Sequence, residues 1–162
     1  FEWSFVGART RGVITGGCVA KDAPGTVYRR RNLQCLLTGV YPWRSSDLDL
    51  EMLGPLARLD MRRYRFLDWR SGAVECGHPA VRGAVYDGGE SAVVVLANFA
   101  GTVAAAHIRL SRKALALTEA QVYRTEDLAS GQSGSATAAR LFETGLEIDV
   151  PACSAVLLRY FI

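Results

Sequence analysis

Residues 92–99 read Ala-Val-Val-Val-Leu-Ala-Asn-Phe. An antiparallel strand that is wetted on one face alternates apolar and polar residues. This run barely alternates, so it reads as a strand covered on both faces. The chain closes with residues 146–162, Leu-Glu-Ile-Asp-Val-Pro-Ala-Cys-Ser-Ala-Val-Leu-Leu-Arg-Tyr-Phe-Ile. Here an alternating strand meets a proline break, and a second β-rich strand follows. The two stretches together describe the tail of an antiparallel sandwich.

Working outward, the period stays at two from about Arg65 onward. Strands are predicted at residues 65–69, 81–86, 92–99, 102–110, 120–124, 146–150 and 155–161. The turns between them are Asp87-Gly88-Gly89, Ala100-Gly101 and Thr144-Gly145. Short strands at this spacing argue for a sandwich. Residues 130–137, rich in Ser, Gly and Ala, read as a flexible surface loop.

The first part has a different texture. Residues 1–6 alternate like a strand, and residues 7–22 form a long Gly- and Thr-rich loop. A loop of that length in a compact domain is usually functional or disordered. Pro24-Gly25-Thr26 reads as a helix start with Thr26 as N-cap. The helix runs from about Val27, with Leu33, Leu36 and Leu37 inward and Arg29, Arg30 and Asn32 toward water. Residues 36–41 also suit a short strand, and Gly39 leaves the choice open. After the turn at residues 41–46, Ser46 can cap a second helix. Asp47 and Asp49 suit the positive end of its dipole. Leu48, Met52, Leu56 and Leu59 recur at helical spacing, and Pro55 predicts a kink or restart.

Composition narrows the function. The chain has 162 residues, 49% hydrophobic, with a formal net charge of +3. The apolar fraction excludes general disorder, and the charge is too mild to argue for nucleic acid. Arg9, Arg11, Lys21, Arg29, Arg30, Arg31 and Arg44 crowd the start, and the Arg29–Arg31 run has only Tyr28 beside it as an aromatic. A solvated basic surface explains them better than a nucleic-acid site. No membrane span is present, and no membrane partner is expected. Cys18, Cys35, Cys76 and Cys153 show no CxxC spacing and read as structural thiols, with a disulfide as the alternative, rather than as zinc ligands. His78 precedes Pro79 in a turn, and His107 takes the polar register of its strand. No metal site and no cofactor are expected. Ser4, Ser45 and Ser154 lack a nucleophile-elbow context, and Gly16-Gly17 lacks the Lys-Ser/Thr of a phosphate loop.

The helix ending in Leu-Ala-Arg-Leu-Asp (56–60), Tyr-Arg-Phe-Leu-Asp-Trp (64–69), the 92–99 run and the closing strands carry a resemblance. The chain resembles the C-terminal end of a (β/α)8-barrel glycoside hydrolase with its β-sandwich domain, as in the α-amylase and α-galactosidase groups. The resemblance implies a mainly β fold, an antiparallel sandwich preceded by a truncated α/β segment. Residues 1–64 would be the last β/α units of the barrel, with strands at 1–6 and about 36–41. Residues 65–162 would be the sandwich, and Asn98 would end its strand before a turn. The barrel helices would cover the outer face of the 92–99 strand.

Barrel enzymes place their sites on the loops after the strands. Loop 7–22 and turn 41–46 would sit there. Trp43 can stack on a sugar ring, and Arg9, Arg11 and Arg44 can bind hydroxyls or carboxylates. Glu2, a carboxylate near a strand start and awkward for catalysis, is a further candidate for substrate contact; the alternative is pairing with Arg9 or Arg11. Glycoside hydrolysis needs two carboxyl groups about 5–5.5 or about 6.5–9.5 Å apart, and no catalytic residue is assigned within this chain. Glu147 and Asp149 fall on the solvent face of a strand. The resemblance implies a carbohydrate substrate bound through the parent enzyme, a missing N-terminal barrel, and a sandwich that stabilises without catalysing. The alternative is a non-catalytic glycan- or protein-binding sandwich module, for which Tyr86, Tyr123, Phe142 and Tyr160 are the available aromatics beyond Trp69.

Overall fold

The computed structural model describes residues 25–39 and 47–162. Two helices come first, α1 (Gly25–Thr38) and α2 (Asp47–Ala57). A single 3-10 turn, Met61–Arg63, leads into nine strands. These are β1 (Arg65–Leu67), β2 (Val74–Cys76), β3 (Val81–Asp87), β4 (Ser91–Asn98) and β5 (Ala104–Leu110), then β6 (Val122–Asp127), β7 (Ser133–Thr137), β8 (Leu146–Val150) and β9 (Ser154–Phe161). They form a six-stranded sheet in the order β1-β3-β4-β9-β6-β7 and a three-stranded sheet in the order β2-β5-β8. Every strand pair is antiparallel. The mainly β, antiparallel reading holds.

All eight residues of β4 are buried. Side chains alternate across a strand, so this burial needs two separate apolar layers. Ala92, Val94 and Leu96 face the core between the two sheets, with Val81, Val85, Ala106, Ile108, Leu141 and Tyr160. Val93 and Val95 face the other way and pack with Leu36 of α1, Leu53 and Leu56 of α2, and Leu157 of β9. Beside them Leu33 and Leu37 meet Ala84 and Ala97, whose short side chains let α1 lie close to the sheet. Each fully buried Val or Leu contributes about 1.5–3 kcal/mol of transfer free energy. The expected helical cover over this strand is therefore present, made of α1 and α2.

α1 starts two residues ahead of the predicted position and turns Leu33, Leu36 and Leu37 inward as expected. Asn32 differs from the expectation: it is completely buried. Its position next to Leu33 places it on the packed edge of the helix, and its Oδ1 accepts from the Arg31 guanidinium at 3.1–3.2 Å. Residues 36–38 are helical, so the alternative strand over them is not formed. Gly39 ends the helix at φ +67° in the left-handed region, where the Phe66 ring leaves little room for a Cβ. Pro55 lies inside α2 and leaves the Glu51 carbonyl without its i+4 donor, and the helix ends two residues later at Ala57. The strand expected at residues 1–6, the loop at 7–22 and the Ser46 cap lie outside the described residues.

Two strands escaped the sequence pattern. β2 is three residues long, too short to show a period. β7, Ser133–Thr137, was expected to be loop; it pairs along β6 from Val122↔Thr137 to Glu126↔Ser133. Its Ser and Gly side chains are exposed and only Ala136 is buried, so no apolar signal marks it. The Thr144-Gly145 turn proves to be the end of a π-helical turn, Arg140–Thr144, that inserts Leu141 into the core.

Asn98 does end β4, and its buried side chain closes two turns at once. Nδ2 donates toward the carbonyls of Thr102 (2.8 Å), Val150 (3.0 Å) and Pro151 (3.1 Å), and Oδ1 accepts from the Ala100 amide (2.9 Å). The Cys153 amide adds a bond to the Ala100 carbonyl at 2.9 Å. The β4–β5 and β8–β9 connections are thereby tied together. At the turn end of the β3–β4 hairpin, Asp87 of β3 is buried and accepts from Arg65 (3.0 Å), the Ala116 amide (2.7 Å) and the Gly89 amide (3.3 Å).

Asn98→Ala is expected to cost about 2–4 kcal/mol in urea unfolding, because buried carbonyls lose their donor. Asn98→Asp should cost at least as much, since a carboxylate would face three carbonyl oxygens. Gly83 lies on the core side of β3, where a Cβ would collide with the Val74 side chain. Gly83→Ala should therefore destabilise by about 1–3 kcal/mol through overpacking.

Candidate functional site

Glu2, Arg9, Arg11, Trp43 and Arg44, the residues that the sequence singled out for substrate contact, all lie outside the described residues. Among the described residues, no group of three or more His, Cys, Asp or Glu side chains is placed to hold a metal ion. The two histidines are apart and engaged locally. His78 Nδ1 accepts from the Ala80 amide at 3.2 Å, and His107 Nε2 lies 2.8 Å from the Thr144 carbonyl. Glu147 and Asp149 project from β8 into solvent, as their register predicted.

Asp87 is the buried carboxylate of the sandwich, and every contact it makes is structural. Arg65 neutralises it and also donates to the Ala114 carbonyl at 2.7 Å. This arrangement fixes the 111–121 loop over the β3–β4 turn. Tyr123 holds the same loop from inside the core: its hydroxyl donates to the Thr118 carbonyl (3.0 Å) and accepts from the Ala120 amide (3.1 Å). The Thr118 amide in turn donates to the Gly89 carbonyl at 2.6 Å.

These anchors create one edge of a polar groove. Glu90, Ser91, Thr118, Arg159, Phe161 and Ile162 line about 440 Å³ of space. Two adjacent strand ends form its floor, because Ser91 of β4 pairs with Phe161 of β9. Arg159 and Phe161 share a face of β9 with Leu157, by alternation. That face is the one packed with the helices farther along the strand. The Arg159 guanidinium carbon sits 4.9 Å from the Phe161 ring centroid, and Nη1 lies 3.7 Å from Glu126 Oε2. Its Nε is buried, with no hydrogen-bond partner among the described residues. Ser91 Oγ is bonded to the Tyr64 hydroxyl at 2.7 Å, and Thr118 Oγ1 donates to the Gly89 carbonyl at 3.2 Å. Sequence reading passed over this cluster. The available signal was a single arginine inside the otherwise apolar run 155–161.

Two other features were weighed as chemistry. Trp69 is 40% exposed, and the Arg70 guanidinium covers one of its faces at 4.8 Å. Cys76 is a half-buried thiol on β2. Burial disfavours its thiolate and pushes its pKa from 9.0 up to about 11, with Arg82 opposing weakly. A thiol held protonated in this way is a poor nucleophile near neutrality.

No family model and no curated protein matches the chain. Solved structures do. A Bacillus halodurans C-125 protein assigned as an α-N-acetylgalactosaminidase superposes with a TM-score of 0.53 and 11% identity, over 90% of this chain and 34% of that one. A GH30 endoxylanase from Clostridium papyrosolvens C71 gives 0.49 and 13%, over 85% and 38%. A GH27 β-L-arabinopyranosidase from Geobacillus stearothermophilus gives 0.47 and 11%, over 91% and 33%. The chain spans about a third of the length of each. At such identity the first of these establishes likeness of fold.

In the folded protein Cys76 should resist alkylation by iodoacetamide at pH 8 and react only as the pH nears about 11. Denaturation should restore ordinary reactivity, read by mass spectrometry. The unfolded thiol ionises first as pH rises, so this residue's contribution to stability is intact below pH 9.0 and declines toward about 11.

Proposed function

We propose that this chain is the sandwich-bearing part of a glycoside hydrolase. Residues 65–162 form its stabilising accessory sandwich, and the residues before them belong to the end of a (β/α)8 barrel. The observation that carries the reading is the second face of β4. A sandwich that stood alone would wet that face, whereas here it holds Val93 and Val95 under a helical layer from α1 and α2. The fold likeness to the Bacillus halodurans structure, over nearly all of this chain and a third of that one, supports the same division. No catalytic carboxylate is assigned among the described residues. The general acid and its partner are accordingly assigned to barrel strands that precede Phe1. Trp43 stacks on a sugar ring at the barrel mouth, and Arg9, Arg11 and Arg44 bind hydroxyls or carboxylates there. Glu2 contributes to substrate contact there or pairs with Arg9 or Arg11.

The test is release of nitrophenolate from 4-nitrophenyl α-N-acetylgalactosaminide, β-L-arabinopyranoside and β-xyloside. The polypeptide that carries these residues behind its barrel is expected to cleave at least one of the three. The 162 residues by themselves should cleave none. In the active polypeptide Trp43→Ala should raise KM up to about tenfold, the equivalent of a lost stacking contact of about 1.4 kcal/mol. Absence of cleavage across the panel, or a KM indifferent to Trp43, removes the proposal.

A further inference from the structure

We propose that the groove between the start of β4 and the end of β9 is a non-catalytic binding site for a small neutral saccharide. The ligand's class rests on the glycoside hydrolase reading, while the groove's chemistry is a separate observation. Its walls present both halves of a hydroxyl-recognition set. Arg159 supplies donors, and Glu126 and the Phe161 ring hold its guanidinium in one place. Glu90 supplies a carboxylate acceptor that has no ion pair among the described residues. The Thr118 hydroxyl has committed its proton to the Gly89 carbonyl, so its lone pairs face outward as acceptors.

Charge decides between ligand classes. An anion attracted by Arg159 would meet Glu90 and Glu126 close by, and a cation attracted by Glu90 would meet Arg159. A neutral ligand whose hydroxyls donate to the carboxylate and accept from the guanidinium meets no opposing charge. Phe161 adds apolar surface for the C–H side of a pyranose beside the Arg159 guanidinium, which lies over its ring at 4.9 Å. About 440 Å³ lies at the small end of ligand sites, which run from about 300 to about 1,000 Å³.

Three of the lining residues are held by the fold itself. The β4–β9 ladder fixes Ser91 and Phe161, and two bonds to the Gly89 carbonyl fix Thr118. Preorganisation of this kind lowers the ordering cost of binding.

The experiment is titration of the 15N-labelled chain with D-xylose, D-galactose and N-acetyl-D-galactosamine, with sodium acetate as the anion probe. Saturable shifts at the Glu90, Thr118 and Phe161 amides and at Arg159 Nε–H are expected with at least one sugar, at millimolar concentration. Glu90→Gln and Thr118→Val, both at the exposed edge of the groove, should each weaken binding by about fivefold or more. Shifts with acetate alone, sugar-induced shifts confined to other residues, or affinity unchanged in Glu90→Gln would each overturn the proposal. Its failure leaves cleavage of the nitrophenyl glycosides untouched, and binding here without any such cleavage would count against the hydrolase reading alone.

Discussion

A central strand without a wet face is the constraint from which the rest of this molecule follows. β4 pairs with β3 along its whole length on one side and with β9 on the other, so its backbone groups are met by neighbours. Its side chains then demand apolar cover above and below. The three-stranded sheet supplies one cover and the two helices supply the other. Neither layer is dispensable, because removing either would expose a row of Val and Leu to water. The doubly buried condition spreads to the neighbours as well. In β3, Val81 and Val85 join the inter-sheet core while Ala84 and Tyr86 lie under the helices.

Polar side chains close the ends of this apolar stack. Asn98 and Asp87 stand at opposite ends of the β3–β4 hairpin. Each is buried, and each satisfies backbone groups in a turn that has no regular partner. Tyr123 does the same for the 111–121 loop from inside the core. A buried polar atom with its partners in place costs little, and one without them costs heavily. These residues therefore select one arrangement of the loops over its rivals. The polar groove depends on that selection, since Thr118 is held against Gly89 by the same loop that Tyr123 and Asp87 secure.

How far the pattern could be read depended on the length of each element and on which surface it met. β3, β4, β5, β6, β8 and β9 were visible because each carries five or more residues with a strand period or an unbroken apolar run. β2 is too short to express a period, and β7 has exposed Ser and Gly where a pattern would be. The π-helical turn at residues 140–144 buries only Leu141, which leaves no amphipathic trace. Asn32 was assigned to solvent by residue type. Its true place depends on how closely α1 lies against Ala84 and Ala97, and that information belongs to a different part of the chain.

The linear order of residues was sufficient to specify a mainly β, antiparallel architecture, the helices ahead of it, and a β4 strand that must be covered twice. Those properties follow from local period, and local period is written in neighbouring residues. Tertiary structure alone decided which strand lies beside which, that Asn98 reaches across to Pro151, and that Glu90, Thr118 and Arg159 share a groove. The physical reason is distance along the chain. Such contacts join residues tens of positions apart, and they form only once apolar burial has already brought their strands together.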